Sequence, residues 1–307
     1  MRTAAAWSRW IAQLMHACCL AALPSLAVPA PDAPARQTAQ PAALQTSSAA
    51  PLQAPKRAIS LTPHATELIF AAGAGDRIVA TVISSDYPPD ALSIPRIGDG
   101  LNVSIEKALS FRPDLVVAWQ ASAAALTLAP VLAQLHIPLI YSAPQSVGDI
   151  PEEIKRLGIL FGTQATADKV AQTLEERLQA MEKQYSGRRL VSVFIEIGTN
   201  PLYTVGNDPL LNDALRICGG RNVYADAFSA APQVSAESVL VAQPAVVITS
   251  AIDADSLDAA RVRWSSLRLP AALGGHVFGI DPDKLFRPGP RLVDAVEQLC
   301  QYLDTAR

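Results

Sequence analysis

The strongest constraint on the fold is a segment that occurs twice in the chain. Residues 103–117 read VSIEKALSFRPDLVV and residues 234–248 read VSAESVLVAQPAVVI. The two copies share Val-Ser-x-Glu-x-x-Leu, a proline seven residues after the glutamate, and a valine pair. The serine is a natural helix N-cap, the glutamate suits the first helical turn, and the proline ends the helix before a buried strand. An offset of 131 residues, from Val103 to Val234, is too long for a solenoid and predicts two similar lobes.

Other strand and helix signals surround both copies. Residues 57–82, RAISLTPHATELIFAAGAGDRIVATV, predict a strand, a helix that begins after Thr62 with Pro63 at its first position, and a second strand after Gly73. Residues 188–198, RRLVSVFIEIG, predict the corresponding first strand of the second lobe. This alternation of strands and helices predicts a parallel sheet in each lobe.

A long helix is predicted between the lobes, over residues 164–186. Its apolar positions recur at helical spacing, with charged residues on the other faces. The predicted fold class is therefore α/β, with two Rossmann-like lobes, residues 57–163 and 187–307, joined by one long helix. Ligands of such folds bind at strand ends and between domains, so we expect a binding cleft between the lobes.

The start of the chain predicts export. Arg2 and Arg9 precede an apolar stretch over residues 10–23, and residues 25–27, Ser-Leu-Ala, are suitable for cleavage. We therefore predict a cleavable signal peptide over residues 1–27.

A retained anchor is the first alternative, but the apolar stretch contains Gln13 and His16 and is short for a bilayer span of ~20 residues. Lipid attachment at Cys18 or Cys19 is the second, although the residues before Cys18 do not match a lipoprotein signal. Residues 28–56 are rich in Pro, Ala, Gln and Ser, which predicts a flexible tether.

Composition and spacing exclude several classes of function. A net charge of −3 provides no basic surface for nucleic acid. His64, His136 and His276 are too widely spaced for a paired metal-ligand motif, and no nucleophile, base and acid form a catalytic set. We expect a binding protein, not an enzyme. Cys218 and Cys300 follow the signal peptide, and two such cysteines in an exported protein favour a disulfide, with two buried free thiols as the alternative.

Six motifs, in order along residues 57–303, resemble the periplasmic vitamin B12-binding proteins of bacterial ABC importers, which belong to the helical-backbone (class III) substrate-binding proteins. These motifs are SDYPP (85–89), RPDLVVAW (112–119), NPLYTVG (200–206), ICGGRNV (217–223), PQVSAE (232–237) and FRPGPRLVDAVEQLC (286–300). The resemblance implies a periplasmic monomer that captures cobalamin or a related corrinoid and delivers it to an importer permease in the inner membrane. Haem- and siderophore-binding relatives share the scaffold, so these ligands are alternatives, with a corrinoid-salvage enzyme as a remote one.

The resemblance also assigns the binding residues. It implies that Tyr87 and Trp119 pack on the corrin ring from the first lobe, and that Tyr203, Asp283 and Arg287 contact the ligand from the second. Stiff aromatic faces suit a flat macrocycle because they lose little conformational entropy on binding. An Asp and an Arg at i and i+4 can fix each other while they hydrogen-bond the corrin amides, although a surface ion pair is the alternative.

Two features depart from the family pattern. Ala231 occupies the position of a family tryptophan, so either Phe228 replaces that contact or the ligand differs. Importer docking in the family uses one exposed glutamate from each lobe. Glu237 matches the second-lobe position, but the first-lobe position falls near Ala125, and Glu106, the repeat counterpart of Glu237, is the available substitute. Either glutamate could instead merely complement a helix dipole.

Overall fold

The structure, a computed structural model, describes residues 53–250 and 253–307. The predicted signal peptide and residues 28–52 of the predicted tether lie outside these ranges. Within them, no helix combines the length and the apolar character that a bilayer crossing requires.

The first sheet contains four strands in the order β2-β1-β3-β4, and every pair is parallel. The strands are β1 (Ala58–Ser60), β2 (Ile78–Ala80), β3 (Leu115–Ala118) and β4 (Leu139–Tyr141). The accompanying helices are α1 (Pro63–Ala71), α2 (Ile105–Ser110), α3 (Ala123–Gln134) and α4 (Asp149–Phe161). The helix α5 (Gln164–Tyr185) then leads to the second sheet.

The second sheet repeats this arrangement and adds one strand. Its strands are β5 (Val191–Thr199), β6 (Leu202–Thr204), β7 (Gly220–Asn222), β8 (Val246–Thr249) and β9 (Val277–Gly279). Its helices are α6 (Pro209–Ile217), α7 (Ala236–Ala242), α8 (Ala254–Ser266), α9 (Pro270–Leu273), α10 (Pro282–Leu285) and α11 (Pro290–Thr305). β5 pairs in parallel with β7 and β8, and β8 with β9, whereas β6 pairs antiparallel with β5. The predicted fold class is confirmed, except that β6 departs from a purely parallel sheet.

The repeated segment forms the same unit in both lobes. The hydroxyl oxygens of Ser104 and Ser235 each accept a hydrogen bond from a backbone N–H three residues later, at 3.2 Å, and so cap α2 and α7. Arg112 and Gln243, just before the two prolines, have left-handed backbones with φ of 45° and 44°. The helix-to-strand unit predicted from the repeat is therefore confirmed, including its cap and its end.

The strands β3 and β8, one at the centre of each sheet, are fully buried. In β3, Leu115 and Val117 pack into one apolar cluster, and Val116 and Ala118 into another. Such two-sided burial explains why the strands read as continuous apolar runs. The first of these clusters continues through α5 into the second lobe and includes Leu174 and Val193. The two lobes are thus joined by a shared core as well as by the helix.

A disulfide bond joins Cys218, at the end of α6, to Cys300 in α11, and both residues are fully buried. Their Cα atoms lie 4.6 Å apart, and 82 residues separate them along the chain. The bond predicted from the cysteine pattern is present, and the alternative of free thiols is wrong.

Candidate functional site

A cavity of about 350 Å³ lies between the lobes. The first lobe contributes Trp119, directly after β3, and the second contributes Ile197 of β5, Ala231, Leu210 and Phe286. The cavity therefore lies at the carboxyl ends of the central strands of both sheets, where α/β folds bind their ligands. Its lining is mainly apolar, which suits a ligand with an extensive apolar surface.

Trp119 is presented to this cavity by a buried histidine. The indole is 41% exposed, and its ring meets the His64 ring edge-on, with the centroids 5.6 Å apart. His64 Nε2 lies 3.1 Å from the backbone carbonyl oxygen of Ser142. Because a carbonyl oxygen only accepts, Nε2 of His64 carries a proton. Burial lowers the pKa of His64 to about 4, so the imidazole stays neutral at physiological pH.

Tyr87 follows β2 in a loop that is anchored by hydrogen bonds of a buried serine. Ser85, two residues earlier, is buried and hydrogen-bonded through its hydroxyl to Thr81 at 2.8 Å and to Thr66 at 3.1 Å. The Tyr87 ring is 42% exposed, and the guanidinium carbon of Arg291 lies 4.2 Å from its centroid. One face of the ring thus carries a cation–π contact from the second lobe.

Five charged side chains connect the lobes beside Tyr87. We call this set the inter-lobe charge cluster; its members are Glu67 and Asp86 of the first lobe and Asp283, Arg287 and Arg291 of the second. Both carboxylate oxygens of Glu67 accept from Arg291, at 2.6 and 3.0 Å. Arg287 pairs with Asp86 and with Asp283 at 2.6 Å each, and lies 3.8 Å from Glu67.

Burial acts differently on the two first-lobe carboxylates of the cluster. Burial raises the pKa of Glu67, against the opposing effects of Arg291 and Arg287. For Asp86 the burial effect is also upward, but the hydrogen bond and the charge of Arg287 outweigh it and lower the pKa. Asp86 is therefore an ionised, partly exposed carboxylate at neutral pH.

The site residues suggested by sequence fall into two groups. Trp119 lines the cavity, while Asp283 and Arg287 lie in the charge cluster, next to the cavity-lining residues Phe286 and Pro288. The cavity lining does not include Tyr87 or Tyr203. Tyr203 is 37% exposed on β6, and its backbone bridges to Gln233.

Sequence reasoning missed Glu67, Asp86 and Arg291. Glu67 had a detectable signal, because it is the single charge in the apolar run ATELIFAA. Asp86 adjoins Tyr87 and Arg291 lies in a motif that was recognised, but their partners are 201 and 224 residues away along the chain.

Ala231 lines the cavity, so the position of the missing tryptophan faces the space between the lobes. Phe228, which could replace that contact, is fully exposed and lies outside the cavity lining. Phe286 fills part of the second-lobe wall instead.

The two glutamates suggested for docking occupy equivalent positions. Glu106 lies in the first turn of α2 and Glu237 in the first turn of α7, and both side chains are exposed. The backbone N–H of Glu237 and the Ser235 hydroxyl lower the pKa of the Glu237 carboxyl, which keeps it ionised. Within the described ranges, no cluster of three or more His, Cys, Asp and Glu side chains is arranged to hold a metal ion.

Comparison with known proteins gives a consistent result. The family model described as "Periplasmic binding protein" matches residues 59–283. The chain is similar to the vitamin B12-binding protein of Vibrio cholerae, with 37% identity over 254 residues, which cover 82% of this chain and 90% of the relative. It is 33% identical over 252 residues to the vitamin B12-binding protein of Vibrio parahaemolyticus, at 82% and 90% coverage.

Solved structures extend the comparison. The crystal structure of the periplasmic vitamin B12 binding protein BtuF of Vibrio cholerae matches with a TM-score of 0.75 and 36% identity, over 82% of this chain and 98% of that one. The periplasmic heme-binding protein RhuT from Roseiflexus sp. RS-1 matches with a TM-score of 0.70 and 26% identity, over 82% and 99%.

Proposed function

The chain belongs to the periplasmic binding protein family, and we propose that it captures cobalamin or a related corrinoid between its lobes and delivers it to an inner-membrane ABC importer. The observation that supports this most is the position of Trp119, whose half-exposed indole faces an apolar inter-lobe cavity. A flat macrocycle can stack on that ring, and stacking contributes about 0.5–1.5 kcal/mol beyond the buried area. The vitamin B12-binding relatives at 33–37% identity support the same ligand.

The cavity volume indicates how such a ligand would lie. At about 350 Å³ the cavity is near the lower end of the roughly 300–1,000 Å³ of small-molecule sites. A corrinoid would therefore extend beyond it, toward the exposed rings of Tyr87 and Tyr203 and the carboxylates of the charge cluster. This placement assigns ligand contacts to Tyr87, Trp119, Tyr203 and Asp283, and Arg287 holds Asp283 in place through an ion pair at 2.6 Å.

Haem is the competing ligand, because the chain also resembles a heme-binding protein at 26% identity. Haem iron requires an axial ligand from the protein. His64 does not offer one in this conformation, since it is 2% exposed and its protonated nitrogen is bonded to Ser142. Tyr87 offers a phenol oxygen, which the Arg291 guanidinium over the face of the ring leaves accessible. The preference for a corrinoid rests on the vitamin B12-binding relatives at 33–37% identity, against 26% for the heme-binding protein.

Delivery requires a surface that the permease can recognise. In this proposal the protein acts as a periplasmic monomer, and Glu237 and Glu106 dock one lobe each on the permease. The two glutamates occupy equivalent, exposed positions in the two lobes, which suits a partner that contacts both lobes at once. The protein catalyses no reaction in this scheme and releases its ligand unchanged.

Calorimetric titration of the exported protein with cyanocobalamin, and in parallel with hemin, tests the ligand. One-to-one binding of cyanocobalamin is expected, weakened at least about tenfold by Trp119→Ala, which corresponds to about 1.4 kcal/mol. Phe228→Ala is the matched control, because this exposed aromatic lies outside the cavity lining. Saturable binding of hemin without binding of cyanocobalamin would overturn the corrinoid assignment and keep the scaffold.

A further inference from the structure

Asp86 occupies an unusual place in the inter-lobe charge cluster. It comes from the first lobe, its carboxylate accepts from Arg287 of the second lobe at 2.6 Å, and it is still 46% exposed. Its backbone position is fixed by the preceding residue, because the Ser85 carbonyl accepts from Arg96 at 2.9 Å and the Ser85 hydroxyl is bonded to Thr81 and Thr66. Asp86 is therefore a well-placed acceptor at the edge of the cleft.

The charges of the cluster do not balance. Glu67 and Arg291 neutralise each other in a two-bond pair that is almost fully buried, with 1% and 13% of the side chains exposed. The single guanidinium of Arg287 then faces two carboxylates, Asp86 and Asp283. One negative charge remains in excess.

The carboxylates that carry the excess charge are also the most exposed part of the cluster. Arg287 is only 14% exposed, whereas Asp86 and Asp283 are each 46% exposed. One terminal nitrogen of the Arg287 guanidinium already donates to Asp86, and the other forms an ion pair with Asp283, at 2.6 Å each. The edge of the cleft thus presents acceptors and negative charge, not a free guanidinium that could bind an anion.

We propose that Asp86 is a specificity-determining residue, which selects macrocycles with amide side chains against those with carboxylate side chains. This inference rests on the proposed function, in which a corrinoid occupies the cleft. A peripheral amide N–H donates to an ionised carboxylate in a charge-assisted hydrogen bond. A peripheral carboxylate at the same place meets a like charge and lacks a donor, which is a repulsive element of the kind that creates selectivity.

The test compares cyanocobalamin with its monocarboxylic acids, in which one peripheral amide is hydrolysed. Dissociation constants are measured at pH 7 for the full exported wild-type protein and for Asp86→Asn and Asp90→Asn. Asp90→Asn is the matched control, since Asp90 is exposed and lies four residues away, in the 3-10 helix Pro89–Ser93. This substitution removes the same charge without removing a partner of Arg287.

Wild-type protein should prefer the amide to at least one of the acids. Asp86→Asn, which releases Arg287 from one carboxylate, should reduce that preference about five- to tenfold, an effect on the order of 1 kcal/mol. Asp90→Asn should leave it unchanged.

If Asp86→Asn weakens the binding of both ligands equally, the ratio of their dissociation constants stays constant. That result would show a structural role for Asp86 and overturn the inference. Equal reductions of the ratio by Asp86→Asn and Asp90→Asn would overturn it too, since net charge alone would then explain the selectivity. If wild-type protein binds cyanocobalamin with no preference over any of the acids, the inference fails and the proposed function stands. If wild-type protein binds neither ligand, the proposed function itself fails.

Discussion

The guanidinium of Arg291 contacts Tyr87 and Glu67 at the same time, with its carbon 4.2 Å from the Tyr87 ring centroid and its nitrogens 2.6 and 3.0 Å from the Glu67 carboxylate. Arg291 is the second residue of α11 in the second lobe, and both partners belong to the first. One side chain therefore joins the lobes and orients a ring that borders the cleft.

Removal of Arg291 should destabilise the protein strongly. Arg291→Leu leaves the carboxylate of Glu67, which is 1% exposed, without its main partner, and breaking a buried ion pair costs about 3–5 kcal/mol. The double variant Glu67→Gln/Arg291→Leu should lose less than the sum of the single losses. Denaturant unfolding of all four proteins measures this coupling.

The control for this comparison of single and double variants is Arg177→Leu. Arg177 pairs with Asp294 and Glu297 at 2.8 Å, but all three side chains are exposed by a third or more. Its removal should change the free energy of unfolding by less than about 1 kcal/mol. If the losses of unfolding free energy in the two single variants, at Glu67 and at Arg291, simply add up in the double variant, the buried pair is contradicted.

His64 should make stability depend on pH in the acidic range. Its pKa is about 4 when folded, against an ordinary value of 6.5. As the pH falls below about 6.5, His64 of the unfolded chain becomes protonated, whereas His64 of the folded protein stays neutral until about pH 4. The free energy of unfolding therefore decreases between these two pH values, by about 3 kcal/mol in all. Unfolding measured from pH 7 to pH 4 should show a smaller loss for His64→Gln than for wild type.

His136→Asn is the comparison for this experiment, because His136 is exposed and asparagine tolerates its left-handed backbone, with φ of 56°. This variant should retain the wild-type pH dependence. If His64→Gln retains it as well, the buried neutral histidine is not its source.

Reduction of the Cys218–Cys300 disulfide should lower stability. The bond closes a loop of 82 residues, for which chain-entropy arguments give about 4 kcal/mol. Thermal unfolding with and without a reductant that reaches the buried sulfurs measures the effect. A Cys218→Ala/Cys300→Ala variant that melts like the oxidised wild-type protein would show that the bond contributes nothing.

Ala231→Trp should tighten the binding of cyanocobalamin. Ala231 lines the same cavity as Trp119, and a second indole would add an aromatic contact of about 0.5–1.5 kcal/mol, or up to about tenfold in affinity. Calorimetry against wild type checks the direction, and Ala231→Leu separates added volume from aromatic stacking. Weaker binding by both variants would mean that the ligand needs the space that the alanine leaves.

Reversal of charge at Glu237 should affect delivery and not capture. Glu237→Lys leaves the cavity untouched, so the affinity for cyanocobalamin should stay within about twofold. Ligand-dependent stimulation of the importer's ATPase should fall, because the exposed carboxylate no longer meets a cationic partner. Glu106→Lys gives the same readout for the first lobe, and normal stimulation by both variants would exclude these residues as docking contacts.

The sequence allowed the repeating architecture to be predicted in detail, because its signals are local. Ser104, Ser235 and the two prolines act within one or two helical turns, and the resemblance supplied Trp119. The antiparallel strand β6 was missed, although Asn200-Pro201 is a turn signal just before it. The charge cluster was missed because pairing across more than 200 residues depends on how the lobes pack, which no local pattern records.

The connection between the lobes has a further consequence. The described strands up to Tyr141 belong to the first sheet and those from Val191 onward to the second, so the chain passes between the sheets once, along α5. A cut at the exposed Gly187, just beyond this helix, would leave both sheets whole. Each fragment would then contain one complete sheet. Because Arg287, Arg291 and the shared core hold the second lobe on the first, we expect the two fragments, made separately, to reassemble.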